Sequence, residues 1–271
     1  MTSGMRRRPA GRPGSSHPGR CAIGIMTKAP LPGRVKTRLT PPLSPAEAAA
    51  LHACFLRDTA AAITAACAAG ACEGAVVYTP AGSEAVFDAL VPPEFHRVLQ
   101  RGGTLGERLY GAAADLRDAG YAALCLVGSD SPTLSPAVFT EAAGLLARDP
   151  DCVVIGPADD GGYYLIGMTA PDPRLFAGIA WGTEAVFAQT LARAAEAGVR
   201  VEVLPRWYDV DDAPSLRRLC RECFDGHGGR GSPAPHTRRY LSQLLAHARE
   251  RIWAPPSVTG ERRGDRAGLP R

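Results

Sequence analysis

Short apolar runs alternate along the chain with longer, alanine-rich segments whose apolar positions recur at helical spacing. The short runs are typical of buried strands, and the longer segments are typical of amphipathic helices. This alternation predicts an α/β domain with a mostly parallel central sheet flanked by helices. The predicted strands are CAIGIM, GAVVYTP, FHRVLQ, AALCLVG, CVVIGPA, YYLIGM and VEVLP.

The first long helix has a clear start signal. Ser44 is the predicted N-cap, Pro45 occupies the first helical position, and Glu47 closes a capping box, so we expect a helix from Pro45 to about Ala69. Further helices are predicted in SEAVFDAL, LGERLYGAAADLRDAG, SPAVFTEAAGLLAR, TEAVFAQTLARAAEAG, a segment beginning near Pro214, and HTRRYLSQLLAHARERIW.

Three segments are expected along the chain. Residues 1–20 form a basic tail without an apolar signal-peptide core, so we expect them to be disordered. Residues 21–224 contain no internal repeat or linker and are predicted to form one domain. Residues 225–271 are predicted to comprise a flexible link, one amphipathic helix and a polar tail.

Composition and charge narrow the range of partners. The chain has 271 residues, 45% of them hydrophobic, and no apolar run reaches the roughly 18 residues of a membrane span, so we expect a cytoplasmic protein without one. The net charge of +4 comes from tails carrying +5 and +6, which leaves the body between them at −7. A nucleic-acid binder usually carries its basic patch on the folded domain, so no nucleic-acid partner is expected. Nothing in the pattern defines the oligomeric state.

The eight cysteines are scattered through the predicted strands and helices, which favours reduced, mostly buried thiols over a disulfide framework. The segment CRECFDGH spaces Cys220, Cys223 and His227 as a zinc site could. A single C-x-x-C is a weak signal, however, and one helical face explains the two cysteines equally simply.

The loop after the first strand concentrates positive charge. In the segment KAPLPGRVKTRL it carries Lys28, Arg34, Lys36 and Arg38. A Walker A motif is excluded because Val35 precedes Lys36 and two prolines delay the helix; the single glycine also excludes a Rossmann fingerprint. The remaining interpretations are a loop that wraps its cations around a polyphosphate and a solvated surface loop.

Carboxylates follow three other strands. Asp159 and Asp160 follow the fifth strand. Asp130 lies at the predicted tip of the fourth strand, and Asp209 and Asp211 follow the last one. Because ligands gather at the carboxyl ends of strands in open α/β sheets, these side chains could hold Mg²⁺ together with the phosphates of a nucleotide. The alternative is that they cap turns or helices, with Asp212 or Asp211 as the N-cap near Pro214.

Five ordered motifs carry a resemblance to a known family: KAPLPGRVKTRL, GSDSPTL, GPADDGGYYLIGM, IAWGTEAVFAQTL and YDVDDAPSL. Together they resemble the bacterial DUF2064 family, some of whose members are described as arsenosugar-biosynthesis glycosyltransferases. More distantly, the order is similar to that of phospholactate and molybdenum-cofactor guanylyltransferases. The resemblance covers roughly Ile23 to Leu219 and implies a GT-A fold, the architecture of nucleotide-diphospho-sugar transferases, that uses Mg²⁺ or Mn²⁺.

The resemblance also implies roles for individual residues. Nucleotide binding falls on Lys28, Arg34, Lys36, Arg38, Gly106 and Arg108, and the metal on Asp130, Asp209 and Asp211. Acceptor binding falls on Asp160, Gly161, Gly162, Tyr163, Trp181 and Thr183, and catalysis on Asp130, Asp160 and Lys36. Two departures stand out: Ser129-Asp130-Ser131 replaces the common D-x-D motif, and Gly103-Thr104 stands where Gly-Asp is expected.

Simpler interpretations of the later motifs remain open. Gly161 and Gly162 could form a tight hairpin, and Tyr163, Tyr164 and Trp181 could belong to the core. For function, the expectation is a metal-dependent glycosyltransferase that acts from a nucleotide sugar on a small acceptor. The alternatives are a nucleotidyltransferase that joins an NTP to a phosphorylated small molecule, and a non-catalytic nucleotide-binding module.

Overall fold

Seven strands form one central sheet in a computed structural model, which describes residue 17 and residues 19–68, 70–225 and 234–254. The strands are β1 (Cys21–Lys28), β2 (Cys72–Thr79), β3 (His96–Leu99), β4 (Ala123–Gly128), β5 (Cys152–Pro157), β6 (Tyr163–Met168) and β7 (Arg200–Val203). Their order is β3-β2-β1-β4-β6-β5-β7, and β6 runs antiparallel to both of its neighbours. The mostly parallel sheet predicted from the sequence is therefore confirmed.

Seven α-helices accompany the strands in the described residues. They are α1 (Pro45–Cys67), α2 (Glu84–Asp88), α3 (Leu105–Asp118), α4 (Pro136–Arg148), α5 (Val186–Glu196), α6 (Ala213–Phe224) and α7 (Pro235–Trp253). Apolar side chains of α1 and α4 pack on one face of the sheet, and those of α3 and α5 pack on the other. The sheet is thus covered on both faces, as near-continuous apolar strands require.

The start of α1 has the predicted geometry. The Ser44 hydroxyl accepts a hydrogen bond from the Glu47 amide at 3.2 Å, and the Glu47 carboxylate accepts one from the Ser44 amide at 2.7 Å. Pro45 occupies the first turn, where its missing N–H costs nothing. The capping box is confirmed.

The link between β5 and β6 is a tight hairpin, as one interpretation of the glycine pair predicted. Gly161 adopts a φ of 85°, and a Cβ there would lie 2.3 Å from the backbone oxygen of Glu184. Only glycine allows this close approach. The hairpin also accepts a hydrogen bond from the Phe187 amide through the Gly161 carbonyl at 2.8 Å, which fixes the segment before α5 against the end of the sheet.

The C-terminal helix packs onto the body of the protein. Its buried side chains join a cluster with α1 and α6; the members from α7 are Leu241, Leu244, Ala248 and Ile252. Its first turn has no side-chain cap of its own, and the buried Asp58 of α1 accepts hydrogen bonds from the amides of His236 and Thr237 at 3.0 and 2.7 Å. The predicted link, residues 226–233, and the tails 1–16 and 255–271 lie outside the described residues.

The cysteines follow the prediction with one exception. Cys67 and Cys72 form a disulfide, because the end of α1 and the start of β2 bring their Cα atoms to 4.8 Å, so the expectation of reduced thiols is wrong for this pair. The other six cysteines are buried. Cys220 and Cys223 lie on the buried face of α6, and His227 is outside the described residues. Within the described ranges, none of the helices combines the length and the apolar character of a membrane span.

The cap that Asp58 provides generates a stability prediction. Asp58→Ala leaves two amides of α7 without an acceptor, one of them at the buried Thr237, so we expect the free energy of unfolding to fall by about 1–3 kcal/mol. Asp58→Asn keeps an acceptor oxygen and should lose less. Urea unfolding measures both, with Asp118→Ala, an exposed carboxylate, as the control expected to stay within about 0.5 kcal/mol of the parent. An Asp58→Ala variant as stable as the control would contradict the cap.

Candidate active site

The basic loop after β1 folds back toward the tip of β4. Pro30 and Pro32 restrict its first part, Val35 anchors its middle by burying its side chain, and a short 3₁₀ turn at Thr37–Leu39 ends it. Between these anchors, Lys36 adopts a left-handed conformation with φ 49° and ψ 38°. Such a conformation is uncommon for a residue other than glycine and points to a specific role for its side chain.

The ammonium group of Lys36 is almost completely buried, with 3% of the side chain exposed. It lies 2.5 Å from Oδ1 of Asp130 and 3.0 Å from Oδ1 of Asp211, and it donates a hydrogen bond to the carbonyl of Val210 at 2.8 Å. The backbone strengthens this junction, since the Val210 amide donates to the Asp130 carbonyl at 2.8 Å. Lys36 therefore connects the basic loop, the tip of β4 and the acidic segment after β7.

Asp211 uses both of its carboxylate oxygens on cations. Oδ1 faces Lys36, and Oδ2 accepts a hydrogen bond from Nη2 of Arg38 at 2.7 Å. The next residue, Asp212, is the N-cap of α6 and accepts a hydrogen bond from the Ser215 amide at 2.9 Å. The capping interpretation is thus confirmed for Asp212, whereas Asp211 anchors the basic loop.

Asp130 remains a charged acceptor at the centre of the site. Burial acts to raise its pKa, but the charge of Lys36, with smaller contributions from His52 and from hydrogen bonds of Lys36 and Ser129, holds the pKa below its ordinary value. Its Oδ1 takes these contacts, and Oδ2 has no hydrogen-bond partner among the described residues. One oxygen of Asp130 is therefore available to a ligand.

His52 of α1 was not predicted and lies behind Asp130. Its side chain is 4% exposed, with Nδ1 3.9 Å from Oδ1 of Asp130 and Nε2 3.3 Å from the carbonyl of Lys28. Burial lowers the pKa of His52 to about 4, so the ring is neutral at neutral pH. Nε2 also lies 3.2 Å from the Thr27 hydroxyl. A buried histidine on the core face of a helix gave no distinctive sequence signal.

Asp209 is a second carboxylate at this junction. The Ser131 hydroxyl donates to its Oδ1 at 2.5 Å. Burial, opposed by the Ser131 hydrogen bond and reinforced by the charges of Asp130, Asp160 and Asp211, raises the pKa of Asp209 to about 7. Negative charge is therefore in excess on this side of the site.

Two cavities open beside Asp130. The first, of about 350 Å³, is lined by five cationic side chains: Lys28, Arg34, Lys36, Arg38 and Arg108. The second, of about 500 Å³, is lined by predicted acceptor residues: Asp160, Gly162, Tyr163, Trp181 and Thr183, with Asp209 beside them. The walls that they share include Ser129 and Asp130. The structure thus brings together predicted residues from distant parts of the chain.

The predicted glycines support the cavities from behind. A Cβ at Gly106 would lie 2.8 Å from the Phe176 carbonyl and 2.9 Å from Nε1 of Trp181, so this glycine lets the indole pack against the start of α3. Gly161 has the corresponding role for the Glu184 segment. Neither glycine lines a cavity itself.

Three polar side chains around the cavities make local contacts. The Arg108 guanidinium donates to the carbonyls of Gly103 and Thr104, and the Thr183 hydroxyl donates to the Ala180 carbonyl. Thr104 itself is the N-cap of α3 in a capping box, which explains why a threonine serves at the position where an aspartate was expected. Gln100, which sequence reasoning missed, donates to the carbonyls of Thr27 and Val77 and closes the first cavity.

Comparison with known proteins supports this architecture. A crystal structure of a "putative nucleotide-diphospho-sugar transferase" from Desulfovibrio desulfuricans G20 is 32% identical to this chain, covers 87% of it and 98% of its own length, and superposes with a TM-score of 0.75. A sequence profile described as "Uncharacterized protein conserved in bacteria (DUF2064)" matches residues 62–183. Fold and site together define a nucleotide-utilising transferase with the GT-A architecture. The chain belongs to the bacterial DUF2064 family.

More distant structures share only part of the fold. A nucleotidyl transferase from Methanothermobacter thermautotrophicus is 18% identical over 74% of this chain and 95% of its own, with a TM-score of 0.49. A mannosyltransferase from Pyrobaculum calidifontis, solved with GDP-Man and Mn²⁺, is 14% identical over 89% of this chain and 75% of its own, with a TM-score of 0.44. Similarity at this level carries no argument about function. No curated protein sequence matches the chain.

The buried ammonium of Lys36 generates a second stability prediction. Lys36→Met removes the cation between Asp130 and Asp211, and we expect a loss of about 1–3 kcal/mol in the free energy of unfolding at pH 7, less than for a fully buried pair because both carboxylates are partly exposed. Arg38→Met is the matched control: its side chain is 74% exposed, and the loss should stay below about 1 kcal/mol. Equal losses in urea unfolding would contradict the structural role of Lys36.

Asp209 generates a pH prediction. Its folded pKa of about 7 lies above the ordinary value near 3.9, so the stability it contributes at low pH is lost as the pH rises through 7. Asp209→Asn removes this loss. Relative to the parent, the variant should gain about 1–3 kcal/mol between pH 5 and pH 8, measured by urea unfolding without divalent cations. With Asp118→Asn as the control, a pH-independent difference for Asp209→Asn would show that the carboxyl titrates normally.

Proposed function

We propose that this protein is a metal-dependent glycosyltransferase that transfers the sugar of a nucleotide sugar to a small acceptor. The observation that carries the proposal is the junction at Asp130 of two cavities with opposite character, one lined by cations and one by carboxylates and aromatic rings. A charged donor and a separate acceptor would meet beside this carboxylate. Holding two reactants in contact is a large part of what a transferase must do.

The phosphates of the donor bind to the cations of the first cavity that have no carboxylate partner among the described residues. Lys28, Arg34 and Arg108 line the first cavity, and none of the three pairs with a carboxylate in the described part of the chain. Lys36 and Arg38, by contrast, already face Asp211. We therefore assign phosphate binding to Lys28, Arg34 and Arg108, and we assign to Lys36 the positioning of Asp130 rather than direct catalysis. Charge-assisted contacts of this kind are the strong ones.

Asp130 and Asp209 would hold the divalent cation, Mg²⁺ or Mn²⁺. Both offer carboxylate oxygens, and the pKa of Asp209 is raised by burial and by the charges of Asp130, Asp160 and Asp211, which a bound cation would offset. No three histidine, cysteine or acidic side chains of the described residues form a complete metal cluster, which suits a cation bound by one or two carboxylates plus phosphates and water. Asp211, also predicted as a ligand, already has a cation at each oxygen. When bound, the cation would neutralise charge that develops on the leaving diphosphate.

On the acceptor side, Asp160 is the residue placed to handle a proton. Its Oδ1 accepts a hydrogen bond from the Gly162 amide at 2.9 Å, which orients the carboxylate, and its Oδ2 has no partner among the described residues. Asp160 would accept the hydrogen of an acceptor hydroxyl as that oxygen bonds to the sugar carbon. Tyr163 and Trp181, whose rings meet edge to face at 6.2 Å, would orient the acceptor.

The description of the 32% identical relative as a nucleotide-diphospho-sugar transferase favours glycosyl transfer over the alternatives. A nucleotidyltransferase would use the same cations for a triphosphate and release pyrophosphate. A binding module would retain affinity without turnover. The identity of the released product separates the three functions.

The decisive test is a panel of nucleotide sugars and nucleoside triphosphates, incubated with the protein with and without Mn²⁺ and candidate acceptors. We expect cation-dependent release of a nucleoside diphosphate from one nucleotide sugar. Arg34→Ala should weaken binding of that nucleotide sugar about ten- to hundredfold in calorimetry, because one charge-assisted contact is lost. Arg148→Ala, an exposed arginine outside both cavities, is the control. Release of pyrophosphate, or binding without turnover of any nucleotide, would overturn the proposal.

A further inference from the structure

Charge is divided unequally between the two cavities. Among the described residues, the first cavity is lined by five cations against the carboxylates Asp130 and Asp211. The second is lined by four carboxylates: Asp130, Asp160, Glu184 and Asp209. The single cation on its wall is Arg38, and that guanidinium already pairs with Asp211 at 2.7 Å. An anion in the second cavity would face carboxylates without an unpaired cation.

Apolar surface makes up much of the rest of the second cavity. Leucines of α3 and β4 form one side, and aromatic rings form another; the apolar lining includes Leu105, Leu109, Leu126, Tyr163, Trp181 and Val186. Its volume of about 500 Å³ falls in the range of small-molecule sites. Such a wall favours a ligand with an apolar face that can lie against the rings.

Close packing and hydrogen bonds hold the wall of the second cavity in place. The Glu184 backbone packs against Gly161 so closely that no side chain could replace that glycine's hydrogen, and Gly106 leaves the space that Trp181 occupies. The Gln189 amide oxygen accepts from the Ala180 amide at 2.7 Å and ties the preceding turn to α5. The backbones that carry the acidic and aromatic groups are thus fixed before any ligand binds, as a selective site requires.

We propose that the acceptor is a hydroxylated small molecule with an apolar face and without phosphate or carboxylate groups. This inference rests on the proposed function, since it describes the acceptor half of that site. A hydroxyl can donate to Asp160 or Glu184, whereas a phosphate at the same place meets like charge that costs binding energy. The inference therefore disfavours every phosphorylated acceptor for this cavity.

Three probes that share a benzyl group and carry a neutral, a cationic or an anionic group test the inference: benzyl alcohol, benzylamine and benzyl phosphate. Each is titrated into the full chain by ligand-observed NMR in the presence of saturating inorganic pyrophosphate, which occupies the cationic first cavity so that benzyl phosphate cannot use it. We expect benzyl alcohol and benzylamine to bind and benzyl phosphate to bind at least about tenfold more weakly. Benzyl phosphate binding as tightly as benzyl alcohol, or no binding by any probe, would overturn the inference.

Variants that remove carboxylate charges test which residues of the second cavity discriminate against benzyl phosphate. Combining Asp160→Asn with Glu184→Gln should bring the affinity of benzyl phosphate toward that of benzyl alcohol and weaken benzylamine. Glu94→Gln, an exposed carboxylate outside both cavities, should change neither. A double variant with the parent's selectivity would place the discrimination elsewhere and contradict the inference. Failure of the proposed function appears separately, as absence of nucleotide binding or of nucleoside diphosphate release.

Discussion

One buried ammonium organises this site. The Nζ atom of Lys36 lies between the carboxylates of Asp130 and Asp211 and donates to the carbonyl of Val210. A buried cation of this kind needs both carboxylates, because the cost of removing it from water is recovered only through close pairing. The left-handed backbone at Lys36 is the local cost of bringing the ammonium to that point. The basic loop, the tip of β4 and the segment after β7, which are far apart in sequence, are thereby held together around one ammonium group.

The division of charge across the site follows from this junction. Lys36 and Arg38 pair with Asp211, so the cations of the first cavity without a carboxylate partner among the described residues are Lys28, Arg34 and Arg108. On the other side, Asp209 and Asp160 have no lysine or arginine partner among the described residues. The same edge of the sheet therefore presents a cationic surface and an anionic surface that meet at Asp130.

Local signals made much of the fold predictable. The capping box at Ser44, the alternation of strands and helices, and the hairpin at Gly161 all depend on neighbours in sequence, and the structure confirms them. The position of Asp130 at a strand tip followed from the same logic. The burial of Lys36 could not be predicted, because its partners Asp130 and Asp211 lie 94 and 175 residues away in the sequence. From the sequence alone, a cation in a basic loop is expected to be exposed to solvent. His52 was missed for the same reason, since its partner Asp130 is distant in sequence. The Cys67–Cys72 pair, which is only five residues apart, was missed because the scattered cysteines were expected to be reduced.

The contact between Asp58 and the first turn of α7 can form only after both α1 and the start of α7 have been synthesised. The two partners are separated by 178 residues, so during synthesis this contact cannot form until residue 236 has left the ribosome. Until then, Leu51 and Phe55 on the same helix lack the cover that Leu241 and Leu244 later provide. The helix that carries His52 to the site thus acquires this part of its packing only after α7 has been synthesised.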